Sequence, residues 1–392
     1  MDVEHSYDHL AISAMEFPSE LVARARSQCP VAHSDQYGGF WILHRYGDIG
    51  AAARAPEIFS SAKGASLPHH GFPLAIPPIE IDPPDHAQYR SPLRDSFSPR
   101  AANSLEPEAR RAVTTLIDSF IEGGAADFAT ELTALMPATI ITKILGIPDE
   151  DSEMFIDWAA RTLQASGDME AVMEELEYMA GIYDDRIANP RDPEEDLPSL
   201  LLTIQINGEP IPEEMFLGLM SELLSAGLDT TANAGALILD LLSKRTDIRQ
   251  RLIDDRSLIP SAVEEFLRYL TPLPVLCRTT TKPTTVAGID IEADSKVQLN
   301  WLSANHDPEE FPAPEEIQID RFPNRHYAFG VGSHRCLGAH LARLELRVLI
   351  EEVLRRIPDY EVDRSAVIRY PGITRGVPSL PVVFTPGPRI NN

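Results

Sequence analysis

The chain has 392 residues, 60 acidic and 34 basic, for a formal charge of −26 at neutral pH. That balance argues against nucleic acid or an anionic membrane as partner, and without a run of about 18 apolar residues no membrane span is expected. Three cysteines, Cys29, Cys277 and Cys336, form no CxxC pair and cannot all pair with one another, which points to a reducing, cytoplasmic setting. The acidic, polar stretch 1–9 is not a signal peptide. The 33 prolines are scattered, and no Gly/Ser tract or repeat marks a linker. Residues 1–392 therefore read as one domain, long enough to bury its own core.

In chain order, residues 1–60 combine a helical patch at 18–27 with a strand at 40–43. Residues 62–84 are loop-like, with Gly64, Pro68, Gly71, Pro73, Pro77, Pro78, Pro83 and Pro84. From 85 to about 245 the periodicity is helical, broken near Gly123 and Gly124, at Pro148, and over 189–198. Pro212 and the acidic Glu213 and Glu214 open a long helix that runs to about 245, roughly 50 Å at 1.5 Å per residue. Residues 272–300 read as strands rich in threonine, turning at Gly288. An irregular proline-rich meander covers 306–325. A helix over 339–357 carries Leu341, Leu344, Leu346, Leu349, Ile350, Val353 and Leu354 at helical spacing. A hairpin with Gly372 and Gly376 closes the chain. The class is mainly α with a small β region.

Cys336 carries the first chemical signal. It lies in Phe329-Gly330-Val331-Gly332-Ser333-His334-Arg335-Cys336-Leu337-Gly338, a glycine-loosened loop that runs into the 339–357 helix. A helix N-terminus favours an anionic thiolate, which serves as nucleophile, redox centre or metal ligand. Phe329 supplies an apolar wall. Gly330, Gly332 and Gly338 let the backbone approach a flat object. An inert buried cysteine is the common alternative for an isolated thiol. A zinc site from His334, Cys336 and His340 lacks a fourth ligand and leaves the glycines unexplained.

The ten-residue string resembles the haem-binding signature of the cytochrome P450 family at its defining positions. The resemblance spans about 41–384 and is weakest before 40 and between 150 and 210. It implies the family's fold, a mostly helical triangular prism with a small sheet region. It also implies haem b (protoporphyrin IX iron) ligated axially by Cys336, with Phe329, Gly330 and Gly338 against the cofactor.

A second string lies inside the long helix: Ala226-Gly227-Leu228-Asp229-Thr230-Thr231. A glycine there costs about 1 kcal/mol against alanine, and threonines are poor helix formers, so local preference is broken for a reason. Small Ala226 and Gly227 leave room beside a cofactor. Thr230 fits a bond to a backbone carbonyl that loosens the helix. The string resembles the family's oxygen-binding motif, with Asp229 and Thr230 as the catalytic acid–alcohol pair. Cleaving dioxygen consumes two protons, which a hydroxyl orders and a carboxylate relays. A solvent-facing Asp beside a helix-kinking Thr is the plainer reading.

Two further sets follow from the resemblance. Glu265 and Arg268, three apart on one helix face, form with Arg321 of the meander a structural lock; a bare surface pair would be worth under about 1 kcal/mol. His86, Arg90, Arg278 and His334 match positions that neutralise the haem propionates. The matching pocket segments are Leu74, Ile76 and Ile79; Leu273, Pro274, Val275 and Leu276; and Ile373 and Thr374. This mostly apolar list suits a terpenoid, steroid or alkyl-aromatic. Glu222 and Ser225 share a helix face with Asp229, and Glu222 stands where an apolar residue is more usual. It fits a polar substrate group, a proton path or an ion pair with a basic neighbour.

The implied activity is C–H hydroxylation with O2 as co-substrate. No flavin or nicotinamide segment accompanies the chain, so electrons from NAD(P)H arrive through a ferredoxin and its reductase. Arg335, His340, Arg343 and Arg347 offer a basic patch for that iron–sulfur partner, or a solvated helix face. A peroxygenase, an isomerase or dehydratase, and a non-catalytic haem binder or gas sensor are the competing functions.

Overall fold

The computed structural model describes residues 7–16, 19–69, 71–148, 151, 154–155, 157–158 and 168–390. Residue 18 of the first expected helix, stretch 1–6 of the N-terminus and most of 149–167 lie outside the described residues. The helices that frame the site are α1 (His86–Arg90), α2 (Glu106–Phe120), α3 (Leu135–Ile144), α4 (Met169–Ala188), α5 (Glu213–Lys244), α6 (Ile259–Leu270) and α7 (Ala339–Arg356).

The helix α5 spans 32 residues, about 48 Å. Pro212 starts it, Glu213 and Glu214 fill its first turn and Lys244 its last, charges that complement the macrodipole. It runs through the molecule with most of its surface covered. Val113 and Ile117 of α2, Leu241 of α5, Phe266 of α6 and Leu349 and Val353 of α7 share the largest apolar core. A second core joins Ile141 of α3, Met179 of α4 and Phe216 and Leu223 of α5. Helix α6 stops at Thr271, whose φ of 43° is left-handed. Its hydroxyl donates to the Arg268 carbonyl at 2.8 Å and accepts from the Asn305 amide at 2.9 Å, and Pro272 follows.

Besides two short hairpins, Gln205–Ile206 with Glu209–Pro210 and Thr284–Val286 with Ile289–Ile291, the strands are β1 (Val31–Ser34), β2 (Phe40–Leu43), β3 (Phe59–Ser60), β4 (Ala125–Asp127), β5 (Val275–Thr280), β6 (Lys296–Asn300), β7 (Glu361–Val362), β8 (Ile368–Tyr370), β9 (Gly376–Ser379) and β10 (Pro381–Val383). The main sheet has the order β1-β2-β6-β5-β3, with β2 and β6 parallel and the other pairs antiparallel. It ties the first 60 residues to the segment after α6.

The chain end differs from the expected single hairpin. Strands β8 and β9 pair, but β10 leaves them and joins β7 and β4 in a separate sheet. Strand β4 stands at the expected break at Gly123 and Gly124, while the hairpin of Gln205–Ile206 and Glu209–Pro210 lies in a stretch read as helical. Strands of two or three residues are too short to show a period of two. No helix among the described residues is long and apolar enough to cross a membrane.

Candidate active site

The Cys336 loop is closed by its own backbone. Gly330 donates to the Tyr327 carbonyl at 2.9 Å, Cys336 to Phe329 at 2.8 Å and Arg335 to Gly332 at 3.2 Å. Gly330 and Gly332 have φ of 63° and 83°. A Cβ on Gly332 would stand 2.3 Å from the Ala53 carbonyl oxygen, so this glycine lets the loop lie on the N-terminal part of the chain. A Cβ on Gly338 would meet nothing within 4 Å; this glycine borders open space. The sulfur faces a cavity of about 230 Å³. Burial raises the thiol, while the Gly338 N–H, Arg90 and Arg343 lower it. The side chain is exposed to that cavity, at the start of a helix, where a bound cation would hold the sulfur ionised.

The arginines and histidines expected around an anionic ligand gather at the same cavity. Arg90, Arg278 and His334 line it. His86 packs its ring on His334, centroids 4.5 Å apart, with its Nε2 buried and unbonded. His334 Nε2 lies 3.3 Å from the Ser61 hydroxyl, and Arg90 donates to the Arg335 carbonyl. Arg278 is 3% exposed, donates to its neighbour Cys277's carbonyl at 2.7 Å, and has no carboxylate at ion-pair distance among the described residues. Burial lowers His334 to about 3, helped by Arg278 and His86. The acid in reach is Asp82, which accepts from the Ser61 N–H at 2.9 Å and from both Ser60 and Ser61 hydroxyls. A rim this short of negative charge fits the two carboxylates of a haem. No trio of His, Cys, Asp or Glu placed to hold a metal occurs among the described residues, which removes the zinc reading.

Helix α5 forms the opposing wall. Glu222, Ala226, Gly227 and Thr230 line the cavity. Thr230 donates to the Ala226 carbonyl at 2.7 Å, as does Ser225 to Ser221 at 2.5 Å. Gly227 also serves helix packing: its Cβ would sit 2.9 Å from Ile141 of α3. Asp229 is not among the lining residues. Its carboxylate accepts from the Thr374 hydroxyl at 2.6 Å and the Asn233 amide at 2.8 Å, and burial raises its pKa. Thr374 consequently belongs to Asp229 rather than to the cavity wall.

Of the remaining pocket expectations, Ile79, Leu273 and Leu276 line the cavity. Leu74, Ile76, Ser225, Pro274, Val275 and Ile373 do not. The Pro274 carbonyl accepts from the Leu302 N–H, and Val275 pairs with Asn300 where β5 begins. Sequence reasoning missed Asn233, although it lies four residues after Asp229. It also missed Glu345, a buried acid on the cavity side of α7 that burial alone raises well above the carboxylate range. An acid at i+4 from Leu341 and i−4 from Leu349 was the available signal.

Behind the thiolate loop, Glu265 and Arg268 are fully buried and bonded twice, at 2.8 and 2.9 Å. Arg321 reaches Glu265 at 3.0 Å, Gln318 N–H donates to it at 2.9 Å, and Arg268 donates to the carbonyls of Asn305, Pro314 and Glu316. Two of the four members of the basic patch are consumed. Arg343 pairs with Glu264 at 2.6 Å and covers the Phe329 ring, and Arg347 pairs with Glu106 at 2.7 Å and Glu351 at 3.3 Å.

The family model described as Cytochrome P450 matches residues 164–358. Cytochrome P450 130 of Mycobacterium tuberculosis is 32% identical over 93% of this chain and 94% of its own length. The chain belongs to the cytochrome P450 family. A steroid C26-monooxygenase of Mycolicibacterium smegmatis is 33% identical over 86% of this chain and 85% of its own. The solved structure of a P450 EryK mutant in complex with erythromycin B superposes with a TM-score of 0.86 at 32% identity, covering 95% of this chain and 97% of that one. The fold is thus the mainly helical P450 fold, and the protein is a haem b monooxygenase that uses O2 and electrons from redox partners.

Proposed function

We propose that this P450 hydroxylates a C–H bond of a small hydrophobic molecule of the terpenoid, steroid or alkyl-aromatic kind, with electrons from a ferredoxin and its reductase. The chain acts as a single domain in the cytoplasm. The observation that carries the reading is one cavity onto which Cys336, the cationic rim and the Thr230 face of α5 all open. Cys336 would ligate the haem iron, and His86, Arg90, Arg278 and His334 would take its propionates. When bound, the haem supplies reductive activation of dioxygen and transfer of one oxygen atom to carbon.

The chain's own groups do the rest. Ile79, Leu223, Leu273 and Leu276 exclude water and hold an apolar body. Thr230 holds a hydroxyl at the cavity wall where a water can be ordered. Asp229, raised by burial and bonded to Thr374, is a carboxyl able to take up and release a proton behind it. The buried Glu265–Arg268–Arg321 cluster keeps the meander and α6 in place beneath the Cys336 loop.

The experiment is the reduced, CO-bound absorption spectrum of the purified holoenzyme. A substrate panel read by the spin-state shift follows, and then product analysis with a ferredoxin system. A thiolate-type spectrum and ferredoxin-dependent hydroxylation are expected. Turnover with peroxide alone, or isomerisation without reductant, would overturn the ferredoxin reading.

A further inference from the structure

Glu222 is a carboxyl facing the cavity that the mechanism leaves without a task. It lies one turn before Ala226 and two before Thr230, the spacing that puts all three on one face of α5. Among the described residues no hydrogen bond or ion pair reaches it, so the basic partner that sequence reasoning allowed is not there. The charge that acts on it is a second acid, Glu80, from the loop that supplies Ile79. Glu80 is anchored by the Ala65 N–H at 3.3 Å and stands 4.0 Å from His69. Burial and Glu80 push Glu222 up to about 8, and the cavity arginines Arg90 and Arg278 exert no comparable pull on it. The basic groups nearby, His69 and Lys296, act on Glu80 and not on Glu222.

We propose that Glu222 is a specificity-determining residue that seats a positively charged nitrogen of the substrate, so the substrate is an apolar molecule bearing one amine or quaternary ammonium. The inference rests on the monooxygenase reading for the reaction but not for the binding. A cation beside Glu222 would offset the desolvation and also the repulsion from Glu80, the second of which an uncharged polar group would leave in place. Eight residues of helix separate Glu222 from Thr230, about 12 Å along the axis. The charged end is therefore anchored two helical turns from the Thr230 hydroxyl, in a cavity that Ile79, Leu223, Leu273 and Leu276 also line.

The test uses the holoenzyme and a matched pair of probes: decanoylcholine and its uncharged isostere with carbon in place of the ammonium nitrogen. A quaternary nitrogen has no lone pair and cannot ligate the iron. Dissociation constants are measured calorimetrically for wild type, Glu222→Gln and Glu222→Asp. Wild type is expected to bind the ammonium member about tenfold or more tighter. Glu222→Gln abolishes that preference without changing affinity for the isostere, and Glu222→Asp keeps part of it. Equal affinities in wild type, failure of both probes to bind, or an unchanged preference in Glu222→Gln overturns the proposal. The CO-bound spectra of the same samples report separately on the haem–thiolate reading.

Discussion

Arg278 shows how a single residue carries information about a ligand. A guanidinium that is 3% exposed and bonded to a backbone carbonyl is a costly thing to bury. The cost is recovered when a carboxylate is brought to it. Replacing Arg278 with methionine therefore has opposite effects on two states. The haem-free protein should gain about 1–3 kcal/mol in stability, read by denaturant unfolding. The holoenzyme should release haem to a scavenger about tenfold faster or more. A loss of stability in both states would show that Arg278 is held by the protein and not by the cofactor. Thr230 is tested at the same scale. Thr230→Ala should keep haem and substrate binding but divert reductant to hydrogen peroxide, lowering product formed per NAD(P)H consumed; normal coupling removes it from the proton route. The Cys336 loop and the Glu265, Arg268 and Arg321 set were legible in the sequence because their chemistry demands fixed residue types at fixed spacings. The direction of Asp229 was not. Its side chain turns toward Thr374, and that partner comes from 145 positions downstream.

At the scale of elements, α5 was legible nearly to the residue, because a 32-residue helix with acids at one end and a lysine at the other repeats its signal many times. Strands β4, β7 and β10 were not, since two or three residues pair through partners far along the chain. The α5 contacts were equally hidden. A Cβ on Gly218 would meet the Ala75 carbonyl oxygen at 2.2 Å, so this glycine lets the proline-rich loop lie on the helix and deliver Ile79 to the cavity. Across the α4–α5 interface, Glu175 is 4% exposed with its Oε1 unbonded, and burial pushes it up to about 7 from an ordinary value near 4.5. The unfolded chain gives up this proton first, so the folded state holds more protons between those two values, and stability falls as pH rises through that window. Glu175→Gln removes the titrating group. From pH ~5 to pH ~8 the variant should gain about 1–3 kcal/mol relative to wild type, measured by denaturant unfolding at each pH. A constant difference across that range would mean that Glu175 does not change charge on unfolding.

For the whole molecule, a charge of −26 sets a problem that the redox partner must solve. If an acidic ferredoxin docks by the Cys336 loop, long-range repulsion opposes its approach and only local cations favour it. The sequence offered Arg335, His340, Arg343 and Arg347. In the folded chain the latter two arginines are neutralised by Glu264, Glu106 and Glu351, acids from α6, α2 and α7 itself. Arg335 remains exposed, with no side-chain partner among the described residues. The two classes of arginine should separate on mutation. Arg335→Glu should raise the KM for an acidic ferredoxin several-fold and leave stability unchanged. Arg347→Ala should leave that KM nearly unaltered and cost under about 1 kcal/mol of stability, the usual worth of a part-exposed pair. With one free arginine set against so large a repulsion, the rate of reduction should rise, not fall, between ~0.05 and ~0.3 M salt, over which the screening length shortens from beyond 10 Å to well below it. A steep fall in rate with salt, or a large KM effect from Arg347→Ala, would place the docking surface on the helix face that these ion pairs occupy.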